Sequence, residues 1–258
     1  MSESIVERNI LTIIEPAIKL DPLEILDRES GTENSDGEAM KDKPSLFSQL
    51  VPEIKVNGYD VSTEALNIFI LENNAFYPTL RLQFGDVDGL FTARFYPKDG
   101  DLVQVNIRSQ GDETTFKPIR IDFTIIDCKP VGGGGGAAAN QYLILGRMFV
   151  PKLFAEGVDY EEEVTSFNAL LNIAEKMELG FASNVEDTAD VMTWTNPNDT
   201  TETWIQDIVA NSYLSDETFF TSYIDPYYYL TLVDVNRFFS QEGAIEASQS
   251  FSQSHHKI

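Results

Sequence analysis

Tyr142-Leu-Ile-Leu-Gly146 and, after a loop, Ser166-Phe-Asn-Ala-Leu-Leu-Asn-Ile-Ala-Glu-Lys-Met-Glu-Leu-Gly180 decide how the chain divides. The first segment reads as a short strand and the second as a helix. Phe167, Leu170, Leu171, Ala174 and Met177 recur at helical spacing, so their side chains fall on one face and form a core stripe. Thr165 or Ser166 can cap the first N–H groups, and Gly180 suits the left-handed residue that closes a helix. By itself the stripe says only that this is a core helix. Its position is more informative: the chain before it has strand periodicity, and the chain after it mixes helix and strand.

Before the helix, apolar residues alternate with polar ones. Leu80, Leu82 and Phe84 do so, then Val103, Val105 and Ile107, then Ile119, Ile121, Phe123 and Ile125. Asp86-Val-Asp-Gly89 and Asp99-Gly-Asp101 supply turns between them. With Tyr142–Leu145 this predicts roughly four to six antiparallel strands, each with one buried and one free face. The expected fold class is α+β: an antiparallel barrel or sandwich over 49–165, then the hinge helix and a small α/β domain over 166–239. Gly132-Gly-Gly-Gly-Gly136 and the three alanines that follow predict a flexible loop over 132–139. No Lys-Ser/Thr follows the glycines, so they do not make a phosphate cradle. In the α/β part, Asp199 and Glu202 have the form of a capping box for a helix from Thr200 to Ser212, with Trp204, Ile205, Ile208 and Val209 on its apolar face. Phe219–Ile224 and Tyr227–Val233 read as strands.

Residues 1–48 read as an arm. The patches Ile10–Ile14 and Leu23–Leu26 are broken by Pro16 and Pro22, and an acidic stretch without large apolar residues follows. Such an arm either seats its apolar patches on a neighbouring protein or is simply a frayed terminus. The Ser/Gln-rich residues 240–258 read as a disordered tail.

The 258 residues include 42 acidic and 18 basic side chains, a formal net charge of -24. Between Glu156 and Glu217 fifteen carboxylates face the lone Lys176. A surface of that sign disfavours gripping nucleic acid, which leaves solubility, calcium binding, or the wall of a passage for a polyanion. A single cysteine, Cys128, excludes an intrachain disulfide and a cysteine zinc cluster. No apolar run is long enough to span a bilayer. Met1-Ser-Glu-Ser-Ile lacks the features of a secretory signal, so the chain is expected to stay in the cytosol or leave by a signal-free route.

Enzyme chemistry finds little support. Both histidines, His255 and His256, lie in the tail, and no zinc-protease, P-loop or dinucleotide motif is present. Carboxylate pairs abound, so a glycosidase-like pair is conceivable but cannot be singled out. The two Asp-rich turns lack the ligand spacing of an EF-hand. No residue stands out in the sequence as catalytic, cofactor-binding or metal-ligating.

A resemblance adds to this. Asp86-Val-Asp-Gly-Leu90, Gly100-Asp-Leu-Val103, the strand from Phe116 to Ile125 and Tyr142–Gly146 come in order. Thr165 to Asn184, Met192-Thr-Trp-Thr-Asn-Pro-Asn198, the helix at Trp204, Phe219–Asp225 and Tyr227–Asn236 follow. Over roughly residues 75 to 240 this succession resembles the baseplate central hub of contractile-tailed bacteriophages. More distantly it is similar to the base of the type VI secretion spike. The resemblance rests on order and spacing, with no single diagnostic motif. It implies a non-enzymatic virion protein, made in the host cytoplasm, whose barrel is of tail-tube type. It further implies a homo-oligomer, a trimer, around the tail axis, with a spike protein, the tail tube protein and other baseplate proteins as partners. Genomic DNA would pass through an acidic lumen without specific binding during injection, and no membrane partner is implied. Hub proteins of this kind carry a second tube barrel after the α/β unit, whereas this chain ends about twenty residues after Asn236. The resemblance thus implies either a part of a longer hub or a hub split between two chains. Alternatives are a tube-terminating or wedge-linking protein, a baseplate-borne glycan or peptidoglycan hydrolase, and a calcium-stabilised module that binds surface glycans.

Overall fold

The computed structural model describes residues 12–14, 50–73, 75–98, 100–109, 119–132 and 140–239. The rest of the expected arm, the glycine run 133–139 and the tail 240–258 lie outside the described residues. In chain order the strands are β1 (Thr12–Ile14), β2 (Leu50–Val56), β3 (Tyr59–Val61), β4 (Leu66–Glu72), β5 (Thr79–Asp86), β6 (Leu102–Ser109), β7 (Ile119–Pro130) and β8 (Asn140–Met148). There follow β9 (Glu156–Val164), helix α1 (Ser166–Lys176), β10 (Gly180–Ser183), β11 (Met192–Thr200), helix α2 (Thr201–Ala210), β12 (Phe220–Thr221), β13 (Tyr229–Asp234) and the short helix α3 (Val235–Phe239). The class is α+β, mostly antiparallel strand with a few helices.

The chain divides into two compact units. One holds the described residues of 50–72 and Thr79–Phe149; the other holds those of 1–18, Asn73–Pro78 and Val150 onward. The division thus falls between Phe149 and Val150, not after residue 165, because β9 pairs with β11.

The first unit is one seven-stranded antiparallel sheet in the order β3-β2-β6-β7-β8-β5-β4. Alternation set its faces as the sequence predicts. Leu82, Phe84, Val103, Val105, Ile121, Phe123 and Ile144 are fully buried, and the intervening residues are half-buried or exposed. The β2–β3 hairpin turns on Asn57-Gly58, both with positive φ (49° and 85°), the chemistry of a tight two-residue turn. Gly146 is needed for a different reason. A Cβ there would stand 3.0 Å from the Phe123 Cβ and 3.6 Å from the Leu80 Cβ. The expected barrel is a half-barrel: among the described residues β3 and β4 each have one neighbour, and the sheet remains open between them.

The second unit contains a mixed four-stranded sheet, β1-β10-β13-β12, in which β10 and β13 are parallel. α1 packs on it through Phe167, Leu170, Ile173 and Ala174, and Phe167 meets the Phe181 ring edge-on. Part of the first apolar patch of the expected arm supplies β1, with Thr12–Ile14 paired antiparallel to Phe181–Ser183. The physical reason is that the free edge of β10 offers unpaired N–H and C=O groups.

Helix ends differ from expectation in two places. α1 closes with Glu178, not Gly180, in the left-handed conformation (φ 62°). The Leu179 N–H donates to the Ala174 carbonyl at 2.9 Å and the Glu178 N–H to the Glu175 carbonyl at 3.0 Å, the paired bonds of a Schellman end. Gly180 opens β10 instead. α2 is capped by Thr200, whose hydroxyl accepts from the Thr203 N–H, and not by Asp199. The Asp199 N–H is held by the Asn196 side chain.

Candidate functional site

The Asp-rich turn at 86–89 starts from a buried carboxylate, while Val87 and Asp88 are exposed. Asp86 is 3% exposed, and its Oδ1 accepts from the Phe91 N–H at 3.2 Å. Its Oδ2 accepts from the Thr92 N–H at 2.9 Å and the Thr92 hydroxyl at 2.5 Å. Burial raises its pKa, but these bonds outweigh burial and leave it below the ordinary carboxylate value. The carboxylate caps a π-helical turn, Phe91–Phe95, so structure alone accounts for it. Among the described residues, no three His, Cys, Asp or Glu side chains converge as a metal site. Cys128 is half-buried, and burial pushes its thiol pKa up, away from a reactive thiolate.

The acid excess belongs chiefly to the second unit. Residues 150–239 carry seventeen Asp and Glu against three Lys and Arg, whereas 50–149 carry twelve against nine. The sheet unit is thus nearer to charge balance than the second unit. The non-core side of the sheet mixes signs: Asp122 lies among Arg120 and Gln104, and burial raises the Asp122 carboxyl above its usual range.

In the second unit Asp190 ties three segments together. It accepts from the Ser166 N–H at 2.9 Å, the Ser166 hydroxyl at 2.8 Å, the Thr188 hydroxyl at 2.8 Å and the Tyr213 N–H at 2.7 Å. The bonds to Ser166 satisfy the start of α1, where a carboxylate also suits the helix dipole.

The lone Lys176 is spent within the fold. Its ammonium lies 2.8 Å from Asp159 and 2.7 Å from Glu161 on β9, and the other Glu161 oxygen accepts from Asn172 at 2.8 Å. Burial lowers the Lys176 pKa, and the two carboxylates more than reverse that, so the net direction is up. Beside it is a cleft of 320 Å³ whose lining includes Lys152, Ile173, Met177, Asn196 and Trp204. Lys152 donates to the Lys176 carbonyl, which neutralises the end of α1. Nothing in that lining forms a nucleophile with an adjacent base.

Apolar side chains are also left exposed, among them Ile70 on the edge strand β4 and Ile126 in the first unit, and Val158, Tyr160, Val191 and Phe219 in the second. β4 reads Leu-Asn-Ile-Phe-Ile-Leu-Glu, yet none of its residues is fully buried. Among the described residues such an edge has no strand partner on its outer side, and apolar side chains beside a free strand edge are the makeup of a strand-pairing surface.

Comparison with known proteins gave matches only among solved structures. No protein-family model matches, and neither does any curated protein. The fold is similar to a 43 kDa tail protein of prophage MuSo2 from Shewanella oneidensis, at 12% identity and a TM-score of 0.49, over 70% of this chain and 53% of that one. It is also similar to a tail protein from Neisseria meningitidis MC58, at 12% identity and a TM-score of 0.45, over 71% of this chain and 50% of that one. The chain spans about half the length of these two proteins.

Proposed function

We propose that the chain is a structural component of a phage tail baseplate, a central-hub subunit that oligomerises around the tail axis and connects tube to spike. The observation that carries this reading is the open half-barrel. Among the described residues, seven antiparallel strands end at a short β3 on one side and at an apolar, partly exposed β4 on the other. Joining the edge of one copy to the edge of the next would satisfy both sets of backbone groups and close a ring, as a heterologous contact does when its rotation closes. The order of elements along the chain, which resembles that of hub proteins, supports putting that ring at the hub. In this reading the sheet is of tail-tube type, the oligomer is a trimer, and the spike and tube proteins bind above and below it. The work is mechanical and needs no catalytic group.

Gold-labelled antibodies against the chain, imaged on purified particles, test the placement. Label on the axis of the baseplate is expected. Label on the baseplate periphery or along the tail sheath would overturn the hub reading.

A further inference from the structure

Strand β9 is turned the wrong way round for an ordinary surface strand. Val158 and Tyr160 point out, 74% and 58% exposed, while the alternate residues Asp159 and Glu161 point in toward α1. A shift of one residue would bury the two apolar side chains and free the two carboxylates. Lys176 prevents it by gripping both carboxylates, and Asn172 adds a bond to Glu161. On β11, Trp194 and Asn196 are buried, and the Trp194 indole N–H donates to the Val164 carbonyl at 3.1 Å, which holds the same register. The outward positions of β11 opposite Tyr160 and Val158 are Thr195 and Pro197, both exposed. The result is an apolar strip held outward on a rigid two-stranded ribbon, rimmed by exposed Glu156, Glu162 and Glu163.

The charge of the unit selects what can cover this strip. A second copy would bring the same carboxylate rim against this one, from a region with seventeen acidic and three basic residues. Nucleic acid is repelled for the same reason. A protein surface with an apolar centre and a basic rim fits both parts. From this we infer that the outer face of the β9–β11 ribbon, centred on Val158, Tyr160 and Pro197, docks a basic, apolar-centred surface of a different protein. The inference stands apart from the tail reading, since it rests on the ribbon alone.

Calorimetric titration of the full chain tests it with three synthetic probes: a peptide alternating Leu and Lys, its Ser/Lys counterpart, and its Leu/Glu counterpart. Saturable binding of the Leu/Lys peptide is expected, with at least about tenfold weaker binding of the other two. The variant V158S/Y160S should bind the Leu/Lys peptide about tenfold more weakly while melting at the parent temperature, because both side chains are exposed. If that variant melts early, the charge reversal E156K/E162K gives the second reading, again with about tenfold weakening. No saturable binding, equal binding of the Ser/Lys peptide, or no loss in either variant would overturn the inference. So would a V158S/Y160S chain that fell from oligomer to monomer, because the occupant would then be a second copy.

Discussion

Replacing Asp190 by alanine should loosen the second unit at the start of α1. Asp190 accepts four hydrogen bonds, two from hydroxyls and two from the backbone N–H groups of Ser166 and Tyr213. The hydroxyls can turn to other acceptors, so only the two N–H bonds should be counted. At about 1.5 kcal/mol each for a charged acceptor, D190A should cost roughly 3 kcal/mol. For a domain of this size that is a fall in Tm of roughly 12–24 °C. Urea unfolding followed by circular dichroism measures it, and amide exchange should quicken first at Ser166 and Tyr213. D190N keeps the shape and one good acceptor, and should lose about half as much. The sign with pH follows from the carboxyl itself. Burial raises its pKa, but the bonds from Ser166, Tyr213 and Thr188 outweigh burial and leave it below the usual carboxylate value. Its stabilisation is therefore fully present above the unfolded pKa, about 4, and is lost as pH falls through the folded value. The gap between D190A and parent should narrow in acid. A cost below about 0.5 kcal/mol at neutral pH, or a gap that widened in acid, would refute the reasoning.

Other substitutions test other parts of the fold. G146V forces a branched side chain to within contact of Phe123 and Leu80, and should cost about 1–3 kcal/mol in denaturant unfolding. E178G should stabilise by about 1 kcal/mol, since glycine takes the left-handed end of α1 without strain, and a higher Tm would show it. K176M should free Asp159 and Glu161 and quicken amide exchange along β9, at a cost of about 1 kcal/mol for these half-exposed pairs. Because the Lys176 pKa is raised in the fold, that contribution holds below the unfolded lysine pKa and fades as pH rises through the folded value. An alkaline melt in which parent and K176M converge would be the sign of it.

Much of the architecture was legible because burial left a period in the sequence. The alternation at Leu80, Leu82 and Phe84 and at Val103 and Val105, and the helical spacing from Phe167 to Met177, reflect faces that are in fact buried. Strand β9 was not legible. Glu156-Gly-Val-Asp-Tyr-Glu-Glu-Glu-Val164 has alternation, but its inward residues are the charged ones, held by a lysine on the following helix. Period alone says that two faces differ and not which one turns inward. The acidic run therefore reads as loop, and nothing in it marks Val158 and Tyr160 as an exposed strip. β11 was hidden by Pro197 and its polar neighbours, which are tolerated because among the described residues that strand pairs on one side only. Local capping misled at both helices: Thr200 and Asp199 offer the same chemistry one residue apart, and Glu178 adopts a conformation that favours glycine. Asn57-Gly58 carries in its sequence the signature of the two-residue hairpin turn that it forms. The open edge of β4 could not be read at all, since edge and central strands share the same apolar composition.

In the proposed function, the half-barrel is completed by other copies of the chain. The solution mass of the purified protein by light scattering, across a concentration series, tests this most directly. The account predicts a closed trimer whose mass holds steady over the upper range, and its loss to monomer when Ile68 and Ile70 on the β4 edge are replaced by lysine. A chain that stayed monomeric at every concentration, or a trimer indifferent to those lysines, would contradict it.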